Sequence, residues 1–316
     1  MEFQRVGKIF DPRDYPLLTE LREYAQSPQA VVFDDRIRIF FTTRDRDGTG
    51  MFKSHPAYVD MTLDLQHVMR VSDKPLMKLG ERGCFDEHGI FPISPVRVGK
   101  QIWAYTTGWT RRKAVATDSG IGLAVSDDGG ETFIKYGQGP VLGPSLHEPF
   151  LVSDGFTLQH EGRFHMWYIY GKRWIRSDED SPPDRVYKIA HAMSDDGRRW
   201  TPTGQTVITD WLNIDECQAL PAVVRHDGSW LMVFCYRHAT DFRINPARGY
   251  RLGCATSHDL VTWVRSDLTL TGKDELPGWD SEMQCYPHLV QVGERLYLLY
   301  NGNEFGRFGF GLAQLL

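Results

Sequence analysis

The chain has 316 residues, with 36 Lys and Arg against 41 Asp and Glu and 41% hydrophobic residues. A formal net charge of −5 argues against nucleic acid or an anionic membrane surface as partner. No run is long and apolar enough to span a bilayer, and Met1–Asp11 lacks the basic and apolar regions of a secretory signal. The cysteines are Cys84, Cys217, Cys235, Cys254 and Cys285. An odd number, with no CxxC pair, predicts free thiols in a reducing compartment, hence a cytoplasmic protein, and argues against a structural zinc site.

In chain order, Phe3–Ile9 is a short apolar segment with no partner beside it, and residues 13–24 have room for one helical turn. Five hairpins follow, each an apolar run, a tight turn and a second apolar run. They are Gln29–Phe33 with Arg36–Thr43, Ile90–Val98 with Gln101–Thr107, and Phe150–Gln159 with Arg163–Tyr170. The last two are Ala219–Arg225 with Ser229–Tyr236, and Pro287–Val292 with Arg295–Tyr300. After three of the hairpins comes a strand, a polar turn and an aromatic: Ser126-Asp127-Asp128 before Phe133, Ser194-Asp195-Asp196 before Trp200, and Ser257-His258-Asp259 before Trp263. Ser and Asp side chains in such turns bond the turn's own backbone, so these motifs read as structural. The fifth copy, Gly309–Ala313, stops after its third strand. The simplest closure makes Phe3–Ile9 the missing fourth strand, which removes an open edge. The predicted fold is all-β: one five-bladed β-propeller domain over residues 1–316, with four-stranded blades and the N-terminal strand closing the last.

An acidic residue recurs ahead of the hairpins. Glu23, Glu87, Glu216 and Glu282 each stand five residues before a proline, namely Pro28, Pro92, Pro221 and Pro287. The third unit breaks this spacing, with Glu148 directly before Pro149. In a propeller the loops entering the first strands and leaving the second strands meet on one face. The entering loops carry Glu23, Asp86, Glu87, Glu148, Glu216 and Glu282. The leaving loops carry Arg44, Trp109, Arg111, Lys172, Arg173, Trp174, Arg237, His238 and Asn301, with Tyr170 at a strand end. Carboxylates gathered in one funnel cannot all ionise freely, so a protonated acid and an ionised base can coexist there. That is the equipment of glycoside cleavage. The aromatics suit sugar faces, and the dense cations suit an acidic sugar or phosphate.

At these residues the chain resembles the clan of five-bladed β-propeller glycosidases: the xylosidase- and arabinofuranosidase-like, invertase-like and mannoside-phosphorylase-like enzymes. Glu148-Pro149-Phe150-Leu151 resembles the segment carrying the general acid on the third blade of the xylosidase-like enzymes. Ser257–Leu260 through Trp263 resembles their recurrent turn, and Ser126–Phe133 matches the Asp box of sialidases. No single family's triad is matched: Ser27-Pro28 stands where an Asp-Pro base is expected, and Glu216-Cys217 sits on the fourth unit rather than where invertase-like enzymes have it. The resemblance implies a glycoside hydrolase using paired carboxylates, with Glu148 as acid and Glu23 or Glu87 activating water. The alternatives are a phosphorylase or transglycosylase with a lone carboxylic acid and a cationic clamp for phosphate, and a non-catalytic carbohydrate-binding propeller. No cofactor is required, although the resemblance leaves room for a structural calcium or other ion near the axis, which His88, His288 and the axial acids could ligate. Sugar, linkage and oligomeric state stay open.

Overall fold

The computed structural model describes residues 1–17, 19, 21–272 and 278–316. The protein is nearly all β. Its strands are β1 (Glu2–Phe10), β2 (Gln26–Val32), β3 (Ile37–Arg46), β4 (Phe52–Met61), β5 (Val68–Val71), β6 (Gly89–Val98) and β7 (Gln101–Arg111). There follow β8 (Thr117–Ser126), β9 (Ile134–Lys135), β10 (Val152–His160), β11 (Arg163–Ile175), β12 (Asp184–Ser194), β13 (Thr201–Thr206) and β14 (Cys217–His226). The last are β15 (Ser229–Arg237), β16 (Arg251–Ser257), β17 (Val264–Ser266), β18 (Thr269–Thr271), β19 (Cys285–Val292), β20 (Arg295–Asn301) and β21 (Phe310–Leu315). Helix among the described residues is confined to the four-residue turn Asn303–Gly306 and short 3₁₀ turns at Pro12–Asp14 and Pro246–Arg248.

Each predicted hairpin is present and antiparallel. β10 to β13 and β14 to β17 form two four-stranded sheets. β2 to β9 form an eight-stranded sheet whose two antiparallel halves are joined by a single parallel bridge, Ser54 to Gly89. The remaining sheet runs β18-β1-β21-β20-β19, so the N-terminal strand does pair antiparallel with the C-terminal one. β18 adds a short parallel strand outside it, which the sequence reading did not anticipate. The first strands β2, β6, β10, β14 and β19 pack successively against one another, and β19 packs back on β2.

The apolar runs are continuous, not alternating, because the sheets are covered on both faces. In β3, Ile37, Ile39 and Phe41 join one core cluster, while Phe40 between them joins another. On the Phe40 face, the buried Arg38 is held by a fork to Asp60 (2.7 and 2.6 Å) and lies over the Tyr58 ring. The Ser-x-Asp turns are structural, as their chemistry predicts. Ser126 Oγ donates to Asp128 (2.7 Å) and accepts from Gly130 N–H (2.8 Å), and Ser194–Asp196 and Ser257–Asp259 repeat the pattern. All five cysteines are free.

Closure by β1 rests on tight backbone approach. Gly309 has φ of +97°, and a Cβ there would lie 1.8 Å from the Phe10 carbonyl oxygen. Gly309→Ala is therefore expected to destabilise the fold by at least about 2 kcal/mol, from left-handed strain plus displaced β1. Urea unfolding compared with wild type checks this, and an unchanged midpoint would contradict it.

Candidate active site

Each first strand carries a bulge at the same place. The register slips between Gln26 and Gln29, Ile90 and Ile93, Ser153 and Phe156, Ala219 and Ala222, and Cys285 and His288. Four of the five bulges hold a residue in the left-handed region: Ser27, Asp154, Leu220 and Tyr286. The next residue is Pro28, Pro221 or Pro287, and Gly155 in the third unit. Proline fits here because a bulge leaves one residue out of the ladder, so its missing N–H costs nothing. Three bulge residues, Phe91, Asp154 and Tyr286, line a cavity of about 300 Å³.

Asp154 is the sole carboxylate lining that cavity among the described residues. It is 6% exposed and accepts a hydrogen bond from Ser153 Oγ (2.7 Å), while its backbone N–H donates to Thr107 Oγ1 (2.8 Å). Burial pushes its carboxyl up to about 6, against the opposing pull of the Ser153 bond and the Arg185 charge. Such a group is protonated in a useful fraction of molecules near neutral pH and can donate that proton.

Four arginines line the same cavity: Arg44, Arg185, Arg237 and Arg243. Arg44 lies over the Tyr24 and Phe52 rings, and burial pulls its pKa down. Arg185 donates to Thr117 Oγ1 (2.6 Å). Arg237 is 2% exposed, donates to the carbonyls of His238 and Ala239, and sits 3.4 Å from the Phe242 ring centroid. Arg243 lies against the same ring and is 3.8 Å from Asp184. Tyr187 and Tyr250 share a short hydroxyl–hydroxyl bond in the wall. Aromatic faces and carbonyls thus stand where carboxylate partners usually would.

Of the residues singled out in the sequence, Arg44, Trp109 and Arg237 line the cavity. The expected carboxylates are not gathered there. Glu148 is buried, with both oxygens accepting from Tyr168 Oη (2.8 and 2.9 Å), and burial raises its pKa. Asp86 pairs with Lys135 and Glu23 with Arg307. Glu87 is held by the Gly83 N–H on an exposed loop, which lowers its pKa. Glu216 is fully buried, pairs with Arg265 (2.6 Å) and accepts from the Trp211 and Leu212 N–H groups. Glu282 is exposed.

The remaining expected sugar contacts also divide. Arg111 pairs with Asp47 (2.7 Å), and Tyr170 Oη is 3.2 Å from Thr206 Oγ1. Lys172 and Arg173 line a separate open pocket, where Arg173 pairs with Asp215. Trp174 packs on the core, and His238 is partly buried beside the wall without lining it. Asn301, read from sequence as a sugar contact, is instead a fully buried staple. Its amide donates to the Ala25 and Gly309 carbonyls and accepts from Ser27 N–H, which pins the first and last units together. Among the described residues no group of three or more His, Cys, Asp or Glu could hold a metal ion. His88 stacks on Trp109, and His288 is sealed in with burial pulling its pKa down to about 4.

Asp154 was legible only through the third unit's register, and no sequence signal marked Arg185 or Arg243. Pro28 stands six residues before the turn at Asp34, and Gly155 stands six before the turn at Glu161. Asp154 thus occupies the place of the residue before proline, which the nearby Glu148-Pro149 obscures.

No family model matches the chain. Over 321 residues it is 31% identical to the uncharacterised protein Rv1502 of Mycobacterium tuberculosis strain H37Rv, spanning 100% of this chain and 99% of that protein. The uncharacterised protein MT1551 of strain CDC 1551 matches equally. The chain belongs to their family. Among solved structures it resembles one described as a glycoside hydrolase, with a TM-score of 0.73, 16% identity, and 98% of this chain and 90% of that one covered. A thermostable family-43 glycoside hydrolase matches at a TM-score of 0.61 and 13% identity, over 92% and 87% of the chains. An endo-arabinase from Bacteroides thetaiotaomicron matches at 0.60 and 14%, over 93% and 94%. The fold is therefore that of the propeller-type glycoside hydrolases.

The raised pKa of Asp154 has a stability consequence. The unfolded carboxyl loses its proton near 3.8 and the folded one near 6. Between these values the folded state holds more protons, so stability falls as pH rises through that window. Asp154→Asn lacks this loss. Its stability relative to wild type should rise by about 2 kcal/mol between pH 4 and pH 7. Denaturant unfolding at a series of pH values reads the difference, and a flat difference would show that Asp154 titrates normally.

Proposed function

We propose that this protein is a glycoside-active enzyme, a five-bladed β-propeller whose cavity holds an anionic carbohydrate substrate. Asp154 protonates the departing glycosidic oxygen. One observation carries the reading: a buried carboxyl, held near 6, faces a cavity rich in arginine and aromatic side chains. The glycoside-hydrolase-type fold and the five mutually packed first strands support it.

Hydrolysis by a carboxylate pair requires a second carboxylate roughly 5 to 9.5 Å from the first, to act as nucleophile or to activate water. None of the other expected acids lines the cavity, so the lone Asp154 favours a second form of the reaction. In it the glycosyl group passes to phosphate, which is already an anionic nucleophile and needs no carboxylate base. The proton goes from Asp154 to the leaving oxygen, a phosphate oxygen forms the new bond to the anomeric carbon, and the glycosidic C–O bond breaks.

A turnover screen of neutral and acidic glycosides, each with and without phosphate, tests this. Asp154→Asn should lower kcat by about 10²- to 10⁴-fold. Loss in Glu148→Gln with activity kept in Asp154→Asn would move the proton donor to Glu148. Sugar binding without turnover in wild type would make the protein a binding propeller.

A further inference from the structure

We propose that Arg185, Arg237 and Arg243 form a binding site for a phosphate dianion, carried on the sugar as a monoester or free as the co-substrate. The inference deepens the reading of the cavity given above, but the site itself is argued from charge and geometry and does not depend on turnover.

The three guanidiniums come from different parts of the chain. Arg185 stands near the start of β12, Arg237 ends β15, and Arg243 lies in the connection from β15 to β16. All three line one cavity. They are close enough that the charges of Arg237 and Arg185 both help pull the pKa of Arg243 down, after burial. Like charges are not held together without compensation. The compensation among the described residues is small: Asp184 sits 3.8 Å from Arg243, at the outer limit of an ion pair. Arg237 finds carbonyl oxygens, ring faces and the Tyr250 side chain, none of them a carboxylate, and its buried Nε has no hydrogen-bond partner. Arg185 finds a hydroxyl.

Three positive charges against one distant carboxylate leave two unmatched. Asp154 offsets one of these two only when ionised, and as proton donor it is neutral. Arg44 adds a further positive charge to the same cavity, so a ligand of charge −2 offsets more of the surplus than a single carboxylate, which favours phosphate. Guanidinium forks also match phosphate oxygens in pairs. Phe242 has both Arg237 and Arg243 against its ring, which fixes two of the forks without neutralising them. The floor of the site is the buried Arg237, and Arg243, its guanidinium packed on Phe242, forms the rim.

The test is calorimetric titration of the full chain at low salt with two probes, inorganic phosphate and glucose 6-phosphate, alone and in sequence. Wild type should bind one probe or both. Arg185→Ala and Arg243→Ala should weaken binding at least tenfold, and Arg243→Lys by less than Arg243→Ala. Arg225→Ala, a surface change beside Trp230, should leave it unaltered. Arg185 and Arg243 are chosen because they are less buried than Arg237, and unfolding midpoints confirm that the variants fold. Asp154→Asn should still bind phosphate, so loss of turnover there leaves this site intact and the two readings separable. Binding of inorganic phosphate assigns a co-substrate site, and binding of the sugar phosphate alone assigns a phosphorylated substrate. No binding of either probe at 10 mM, or binding that ignores both alanine variants, overturns the proposal.

Discussion

Ring closure is the constraint on which the rest depends. Sheets packed side by side leave an unpaired strand at the last edge unless the chain returns to cover it. Here β1 makes that return, pairing with β21 across nearly the whole length of the sequence. Phe3 and Phe10 are fully buried by it, and Asn301 bonds backbone of the first and last units in the same region. With the two ends of the chain locked together, the five first strands are pressed against one another. Their bulges then meet around a common space. The cavity is a product of closure, since no single sheet contains it.

Within that space the decisive physics is desolvation. Removing a carboxylate from water favours its neutral form, and removing a guanidinium from water is tolerated only with partners. The protein satisfies the first by seating Asp154 on a bulge beneath Ser153 and Thr107. It handles the second by laying arginines on Phe242, Tyr187, Tyr250, Tyr24 and Phe52 instead of opposite acids. The result is a cavity with surplus positive charge around one buried carboxyl. Acids elsewhere do the opposite work. Glu216 with Arg265, and Asp60 with Arg38, are buried pairs that hold the sheets in place and leave no charge to spare.

The strand repeat was readable because it is written in local chemistry. Hairpin turns at Asp34-Asp35, Gly99-Lys100, Glu161-Gly162, Asp227-Gly228 and Gly293-Glu294, with apolar runs on either side, located all five hairpins. The Ser-x-Asp turns announced their own hydrogen bonds. The candidate site was readable only in part. Arg44, Trp109 and Arg237 lie in the last residues of their second strands, so their face could be read from the repeat. The recurring glutamates shared a spacing but not a destination, because each lies several residues outside the bulge that points inward. From there loop conformation sends Glu216 into an ion pair and Glu282 to solvent.

By itself the sequence determined the all-β character, the five hairpins, the closing role of the N-terminal segment and the face rich in arginine and aromatics. These follow from chemistry local to a few residues: continuous apolar runs, the residues of tight turns, and the polar and aromatic residues just beyond them. Only the tertiary structure decided which polar groups share one cavity. Asp154, Arg185, Arg237 and Arg243 come from three strands and a long connection, and they are neighbours because the ring closes. Their charge state is likewise a tertiary property, since burial and mutual repulsion exist only once those segments have been brought together.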